Sequence, residues 1–194
     1  MNRYESKDKY FNEARKMGYR ARSAFKLQAI QNKFHIIKSS DKVLDLGAAP
    51  GSFLQLISKI VGEKGIAIGI DLQDIKNLNL PNVKTYVGDI FDNRVYEKIG
   101  IDEFDVITSD LAPKTSGVKF LDAGRSLDLS LKVLDVAKDR LKKGGSVIIK
   151  ILSGFDEGDL ISEAKKLFKT VKKFRPDAVR KSSGEKYIIC LYKL

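Results

Sequence analysis

The sequence predicts an α/β fold built on a mostly parallel, doubly wound sheet. Three observations predict it: short apolar runs alternate with helical patterns, a glycine-rich turn follows the first run, and aspartates stand one or two residues after three of the predicted strands. Alternation of this kind favours parallel strands joined by right-handed crossovers. Its 194 residues suit one domain with its own core. We therefore predict a single domain over 1–194, in which residues 1–38 form a basic helical N-terminal extension.

Seven segments are candidate strands, most of them short apolar runs. They are Val43–Leu46, Ile66–Ile70, Lys84–Val87, Asp105–Ser109, Ser146–Ile151, Val171–Arg175 and Tyr187–Tyr192. Helical spacing of apolar residues occurs at 22–34, 52–61, 93–99, 125–142 and 158–169, and the fourth of these helices is expected to stop at Gly144–Gly145. No helical pattern separates the last two strands, so we expect them to form an antiparallel C-terminal hairpin with a long loop.

The first strand runs into the glycine-rich turn of VLDLGAAPGSF, residues 43–53. Gly47 and Gly51 allow backbone to approach a ligand, and Ser52 can cap the helix that follows. Such a turn lies at the carboxyl edge of an α/β sheet, where nucleotide-like ligands bind. The turn lacks both the G-x-G-x-x-G of a dinucleotide site and the lysine of a P-loop. Neither phosphate-binding motif fits, so the turn is either an ordinary tight turn or a ligand site of another kind.

Three aspartates come just after predicted strands, namely Asp71, Asp89 and Asp110. The carboxyl ends of parallel strands face one crevice, so these side chains are expected to converge on one ligand. Asp71 stands 24 residues after Gly47, a spacing that suits a ribose diol, and Asp89 can accept from the amine of an adenine. Aspartate is also common at the starts of loops. Three at successive strand ends nevertheless favour a nucleoside-shaped ligand.

Two lysines and a glutamate lie at positions where burial of charge is costly. Lys150 interrupts the apolar run SVIIKIL, Lys26 lies in the amphipathic segment SAFKL, and Glu185 precedes the apolar run YIICLY. With Asp110 they form a Lys–Asp–Lys–Glu set in which the charges cancel, as buried charges must. Any one pair alone is equally consistent with a structural ion pair.

The net charge of +11 is concentrated at the two ends of the chain. Residues 1–38 hold 10 Lys and Arg against 3 Asp and Glu, and residues 165–194 hold 10 against 2, whereas 39–164 are net acidic. A solvated basic surface would explain lysine runs, but an evenly solubilised domain mixes its signs. The segregation therefore indicates a polyanionic substrate, most plausibly nucleic acid.

Five segments resemble, in order, the motifs of the FtsJ/RrmJ ribose 2′-O-methyltransferases of 23S ribosomal RNA. They are YRARSAFKL, VLDLGAAPGSF, SDLAPKTSG, SVIIKIL and SSGEKYII. The resemblance extends over the chain from about Tyr19 to its end. The resemblance implies a Rossmann-like fold that uses S-adenosyl-L-methionine (AdoMet), and a uridine ribose in 23S-type RNA as the target. It also implies cofactor contacts and a catalytic tetrad. The cofactor contacts are Gly47 with its turn, Gly51, Phe53, Asp71, Asp89 and Asp110, and the tetrad is Lys26, Asp110, Lys150 and Glu185.

The chemistry expected of the tetrad agrees with this resemblance. A ribose 2′-hydroxyl must lose its proton as it attacks, and a lysine in water, with a reference pKa of ~10.4, is protonated at neutral pH. Burial and a second cation both favour the neutral amine, so Lys26 can make Lys150 a general base. One departure stands in the cofactor turn, where bacterial members resemble PGGW and this chain has PGSF. Phe53 would keep an aromatic wall without the indole N–H.

The two basic ends are expected to meet on one face beside the tetrad and to bind ribosomal RNA or the large ribosomal subunit. Arg15, Lys16, Arg20 and Arg22 would lie on one side of the target ribose, and Arg180, Lys181 and Lys186 on the other. Tyr187 would stack on, or hydrogen-bond to, an unpaired nucleotide.

Other features bound the class of protein. No apolar run approaches the ~18–20 residues of a membrane span, and the lone His35 has no ligand companions, so we expect a cytoplasmic monomer with neither membrane nor metal. Two alternatives stay open: the same reaction on tRNA or an RNA cap, and a non-catalytic RNA-binding ribosome-assembly factor. Methylation of a base is disfavoured, because such enzymes use N/D-P-P-Y/F where this chain has Asp110-Leu111-Ala112-Pro113.

Overall fold

The computed structural model describes residues 5–113, 116–154, 157–180 and 183–194. Within these ranges a single sheet has seven strands: β1 Lys42–Leu46, β2 Ile66–Asp71, β3 Val83–Val87, β4 Phe104–Ser109, β5 Leu141–Leu152, β6 Phe168–Phe174 and β7 Glu185–Lys193. The helices of the same ranges are α1 Glu5–Lys16, α2 Ala24–Phe34, α3 Ser52–Val61, α4 Asn93–Glu97, α5 Lys119–Arg140 and α6 Gly158–Leu167. None of them is long and apolar enough to cross a membrane.

The order of the strands across the sheet is β3-β2-β1-β4-β5-β7-β6. Strands β1 to β5 pair in parallel, whereas β7 is antiparallel to both β5 and β6. This confirms the predicted α/β class and the antiparallel hairpin at the C-terminus. Because β1 lies between β2 and β4, the chain reverses its winding at β1, and the glycine turn after β1 lies at this switch point.

Both faces of the sheet are covered by helices, which is why the central strands are apolar throughout. Helices α2 and α3 pack on one face through residues such as Leu27, Ile30 and Leu54. Helices α4, α5 and α6 pack on the other face, where Leu134 and Leu160 are buried. The two faces therefore place α2 and α5 on opposite sides of the sheet.

Two local expectations were wrong. The long helix ends at Arg140 and not at Gly144–Gly145, because Leu141 leaves the helix to pair with Phe104 of β4, so that the two glycines lie inside β5. Ser52 does not cap α3: the cap is Gly51, at a φ of +103°, and the Ser52 hydroxyl instead bonds that of Ser23 at 2.6 Å.

Candidate active site

The proposed tetrad assembles on the α2 face of the sheet, at its carboxyl edge. Lys150 of β5 is paired in register with Tyr187 of β7, and Glu185 lies two residues before Tyr187 and so on the same face. Asp110 follows directly on β4, next to β5. Helix α2 packs over this face and carries Lys26. Four residues from distant parts of the sequence are thus brought together.

Distances within the tetrad show a closed network of charges. Lys26 Nζ lies 2.5 Å from Glu185 Oε1 and 3.9 Å from Asp110 Oδ1. Lys150 Nζ lies 3.3 Å from the same Asp110 oxygen and donates to the Asp110 backbone carbonyl at 3.0 Å. Lys150 is 8% exposed, and Lys26 and Glu185 are similarly buried. Two lysine side chains therefore lie beside one carboxylate oxygen in a largely buried site.

Tyr187 belongs to this network and is not a surface residue. It is 0% exposed, and its hydroxyl donates to Asp110 Oδ1 at 2.7 Å, with Glu185 Oε1 at 3.2 Å. Burial, followed by the charges of the two carboxylates, raises its pKa well above the ordinary value, so the hydroxyl remains a donor. A fully buried ring offers no surface for stacking on a nucleotide, so of the two contacts predicted for Tyr187 only the hydrogen bond stays a prediction. Strand alternation from Glu185 could have placed it correctly.

The glycine turn approaches its neighbours as closely as the sequence suggests. Gly47 has a φ of +77°, and a Cβ there would lie 2.7 Å from Leu111 Cδ2. At Gly51 a Cβ would lie 3.1 Å from Leu78 Cδ1. Any larger residue would thus strain the backbone and push away the loops that flank the turn.

Asp71 and Asp89 stand beyond neighbouring strands, as the pattern of strand ends requires. Asp71 accepts from the backbone N–H of Ala49 at 2.9 Å and from that of Gln73. The exposed Asp89 accepts from the N–H of Phe91. Each carboxylate oxygen has a second lone pair, so both residues can still accept from a ribose diol or an amine. Together with the glycine turn, these residues fit a nucleoside cofactor.

Phe53 does not form the expected aromatic wall. It lies in the first turn of α3, is 3% exposed and packs into the core on the α2 face of the sheet, so its ring offers a ligand almost no surface.

Asp45 is a charged group of the site that sequence reasoning missed. Its side chain is 0% exposed, and Oδ1 accepts from the Thr108 hydroxyl at 2.7 Å, while Oδ2 has no hydrogen-bond partner among the described residues. Burial raises the pKa of Asp45 well above its usual range, and the charges of Asp110 and Asp71 add to the rise. The signal was present, because Asp45 interrupts an apolar strand just as Lys150 does.

The two basic ends of the chain meet next to the tetrad. Arg22, which is half-buried, donates to the Ala178 carbonyl at 2.7 Å, and its pKa is lowered first by burial and then by the charge of Arg180. Arg180 is exposed, as are Arg15 and Lys16 at the end of α1. These cations remain candidates for phosphate contacts.

Arg20 and Lys186 are engaged elsewhere. The Arg20 guanidinium donates to the carbonyls of Pro50, Lys76 and Asn77, so it holds the loop after β2 against the glycine turn. Lys186 points to the α5 face and pairs with Glu157 at 2.5 Å. In this structure the donors of Arg20 and the ammonium of Lys186 bind protein oxygens, and their contacts with phosphate stay predictions. Lys181 lies outside the described residues.

Comparison with known proteins agrees with this geometry. Residues 19–193 match the FtsJ-like methyltransferase family. The chain is 43% identical to "Ribosomal RNA large subunit methyltransferase E" of Anaeromyxobacter dehalogenans over 96% of its own length and 71% of the relative's, and 43% identical to the protein of the same name from Myxococcus xanthus over 97% and 90%.

Solved structures give the same answer. A Plasmodium falciparum protein assigned as a ribosomal RNA methyltransferase superposes with a TM-score of 0.78 at 29% identity, covering 91% of this chain and 99% of that one. Aeropyrum pernix fibrillarin, solved with natively bound AdoMet, shares the fold with a TM-score of 0.63 at 20% identity over 87% and 76% of the two chains. The chain belongs to the FtsJ-like methyltransferase family and is a methyltransferase that uses AdoMet.

Proposed function

We propose that this protein methylates the 2′-hydroxyl of a ribose, in a uridine, within the large-subunit ribosomal RNA. The observation that carries the proposal is the closed Lys26–Glu185 and Lys150–Asp110 network at the carboxyl edge of the sheet. The relatives at 43% identity named as large-subunit rRNA methyltransferases support the choice of substrate.

Lys150 is the general base in this proposal. The 2′-oxygen attacks the methyl group while its proton passes to Lys150 Nζ, which therefore has to be neutral when the substrate is bound. Lys150 is 8% exposed, and Lys26 lies beside the same Asp110 oxygen. Lys26 pairs with Glu185 at 2.5 Å, and its positive charge would stabilise the developing alkoxide.

The remaining residues hold the two reactants in place. When bound, AdoMet supplies an electrophilic methyl group on a sulfonium. Asp71 would accept from its ribose hydroxyls, Asp89 from its adenine amine, and Gly47 and Gly51 would let backbone lie against it. Asp110 joins the two sites, because it borders the cofactor crevice and also orients Lys150. Alignment of oxygen and methyl group then supplies much of the rate.

The test of the base is Lys150→Ala. Methyl transfer should fall by at least ~10²-fold, while affinity for AdoMet, measured by calorimetry, stays within a few-fold. The matched control is Lys142→Ala, which removes another half-buried lysine of β5 together with its 2.7 Å contact to Asp105, at the opposite edge of the sheet. Near-normal turnover of the Lys150 variant would remove this residue from the mechanism.

The substrate is tested by transfer of radiolabelled methyl groups to large-subunit rRNA, assembled large subunits and tRNA. The proposal expects 2′-O-methyluridine in the large-subunit rRNA, either naked or assembled. Label in tRNA, or in the cap of a capped RNA, would favour a 2′-O-methyltransferase that acts on that RNA instead. Binding to rRNA without any transfer would favour a ribosome-assembly factor that keeps the fold.

We also propose that the protein acts as a monomer in the cytoplasm, where ribosomal subunits mature. All four tetrad residues come from one chain, so the site needs no residue from a second copy. Sedimentation at assay concentrations would test this, and an obligate dimer would contradict it.

A further inference from the structure

The start of α5, together with the residue before it, exposes three large apolar side chains on the carboxyl side of the sheet. Val118 is 52% exposed, Phe120 62% and Leu121 50%. A single exposed apolar side chain is ordinary, but three within four residues form a patch of the kind that marks binding surfaces. We call Val118, Phe120 and Leu121 the α5 rim.

Two hydrogen bonds fix the height of the α5 rim above the sheet. The Ser130 hydroxyl donates to the Lys150 carbonyl at 3.1 Å, and the N–H of Leu152 donates to the Ser126 hydroxyl oxygen at 3.0 Å. Helix α5 thus runs down beside the end of β5. Phe120 stands ten residues before Ser130 and therefore about 15 Å above the level of Lys150 along the helix axis. The α5 rim consequently projects past the carboxyl edge of the sheet.

The exposure of the rim does not come from a loose helix end. Both the backbone N–H and the hydroxyl of Ser116 donate to Asp122 Oδ1, at 2.7 and 2.8 Å. Asp122 is itself buried, so it ties the approach to α5 onto the first turn of the helix. The three apolar side chains are thus presented to solvent by an anchored turn.

We propose that the α5 rim is a stacking platform for unpaired nucleobases of the RNA segment that flanks the target ribose. This inference rests on the proposed function and names how that substrate is held. The rim follows the active site closely along the chain, since Val118 stands eight positions after Asp110. A height of about 15 Å corresponds to a few stacked bases at ~3.4 Å each, so the rim would contact bases near the target and not the target itself.

Charge complementarity favours RNA as the occupant. The basic wall, formed by Arg15, Lys16 and Arg180, belongs to the α2 side of the crevice, and the α5 rim is on the opposite side. A single strand with its phosphates against the basic wall would turn its bases toward the rim. An aromatic ring flanked by aliphatic side chains accepts the flat face of any base, so the contact would be tolerant of sequence.

The test compares Phe120→Ala with Phe120→Tyr in binding to a short labelled single-stranded RNA and to an abasic strand of equal length. Loss of one stacked base should weaken binding of the normal strand by about 5- to 150-fold, and tyrosine should restore it. Binding of the abasic strand, affinity for AdoMet and the salt dependence of binding should not change, because the rim carries no charge. Tyr192→Ala is the matched control, since this aromatic side chain is 55% exposed at the opposite edge of the sheet.

Three outcomes would overturn the inference. Unchanged RNA affinity in Phe120→Ala would mean that no base stacks there, and an altered salt slope would indicate a phosphate contact. A variant that binds the naked strand normally but no longer binds the large ribosomal subunit would make the rim a protein-docking surface. A wild-type protein that methylates no RNA would contradict the proposed function. The binding measurement does not require methyl transfer, so the two failures can be told apart.

Discussion

Tyr187→Phe tests whether the tetrad is held in place by a neutral fifth member. The substitution removes one oxygen and leaves the ring, which fills a fully buried position between β5 and α2. What is lost is the 2.7 Å hydrogen bond to Asp110 and the 3.2 Å contact with Glu185. The two lysines then become the remaining side-chain partners of the Asp110 carboxylate among the contacts described above.

The expected magnitude follows from that hydrogen bond. A hydrogen bond to a charged group contributes about 1.5–3 kcal/mol, and the two lysines retain part of it by drawing closer to Asp110. We therefore expect a loss of about 1–2 kcal/mol in the free energy of unfolding. Because Asp110 also orients Lys150, we expect kcat to fall by about 10-fold, which corresponds to about 1.4 kcal/mol.

The assay measures single-turnover methyl transfer, AdoMet affinity and denaturant unfolding on the same preparations. Tyr96→Phe is the matched control, because it also removes a buried tyrosine hydroxyl, here one that donates to the Ile90 carbonyl at 2.8 Å on the other face of the sheet. Both variants should lose stability, and only Tyr187→Phe should lose kcat. Equal kcat in the two variants would refute the positioning role of Tyr187.

Three further predictions concern the cofactor crevice and the RNA path. Asp71→Ala should weaken AdoMet binding before it affects the chemical step, and unchanged affinity in calorimetry would show that the ribose assignment is wrong. Arg20→Ala should lower thermal stability and AdoMet affinity while leaving the salt dependence of RNA binding unchanged. The double variant Arg15→Ala, Lys16→Ala should leave thermal stability and AdoMet affinity unchanged and should reduce the salt slope of RNA binding by about one to two units in binding titrations. The pKa of Asp45 is raised in the folded state, so the stability of the protein falls as pH rises above ~3.9, the pKa of this group in the unfolded chain. Asp45→Asn should therefore raise the melting temperature at neutral pH, and the increase should vanish near pH 4. An increase that is independent of pH would contradict this.

The central strands β1, β2 and β4 could be predicted because each is a short, mainly apolar run bounded by polar residues. The end of α5 could not, because Leu141 satisfies a helical pattern and a strand pattern equally well. Pairing with Phe104 across the sheet decides between them, and that contact joins residues 37 positions apart. Sequence-local reasoning has no access to it.

The tetrad was predictable for a related reason. Lys150 stands out because it interrupts an apolar strand, and Asp45 has the same property within the glycine-turn motif. No sequence pattern indicates which groups an exposed lysine or arginine contacts. Arg20 looks like any surface arginine in the sequence, and only the fold reveals that its donors are bound to three carbonyls.

The direction of β7 explains how the two ends of the chain reach one site. If β7 ran parallel to β5, its first residue would lie at the amino edge of the sheet, a full strand length away from Asp110. Because β7 is antiparallel, Glu185 starts at the carboxyl edge, opposite Leu152. The same reversal places the end of β6 and the segment with Arg180 at that edge, since Phe174 pairs with Tyr187. One antiparallel strand therefore delivers an acid to the tetrad, a hydroxyl to hold it and a basic segment beside it.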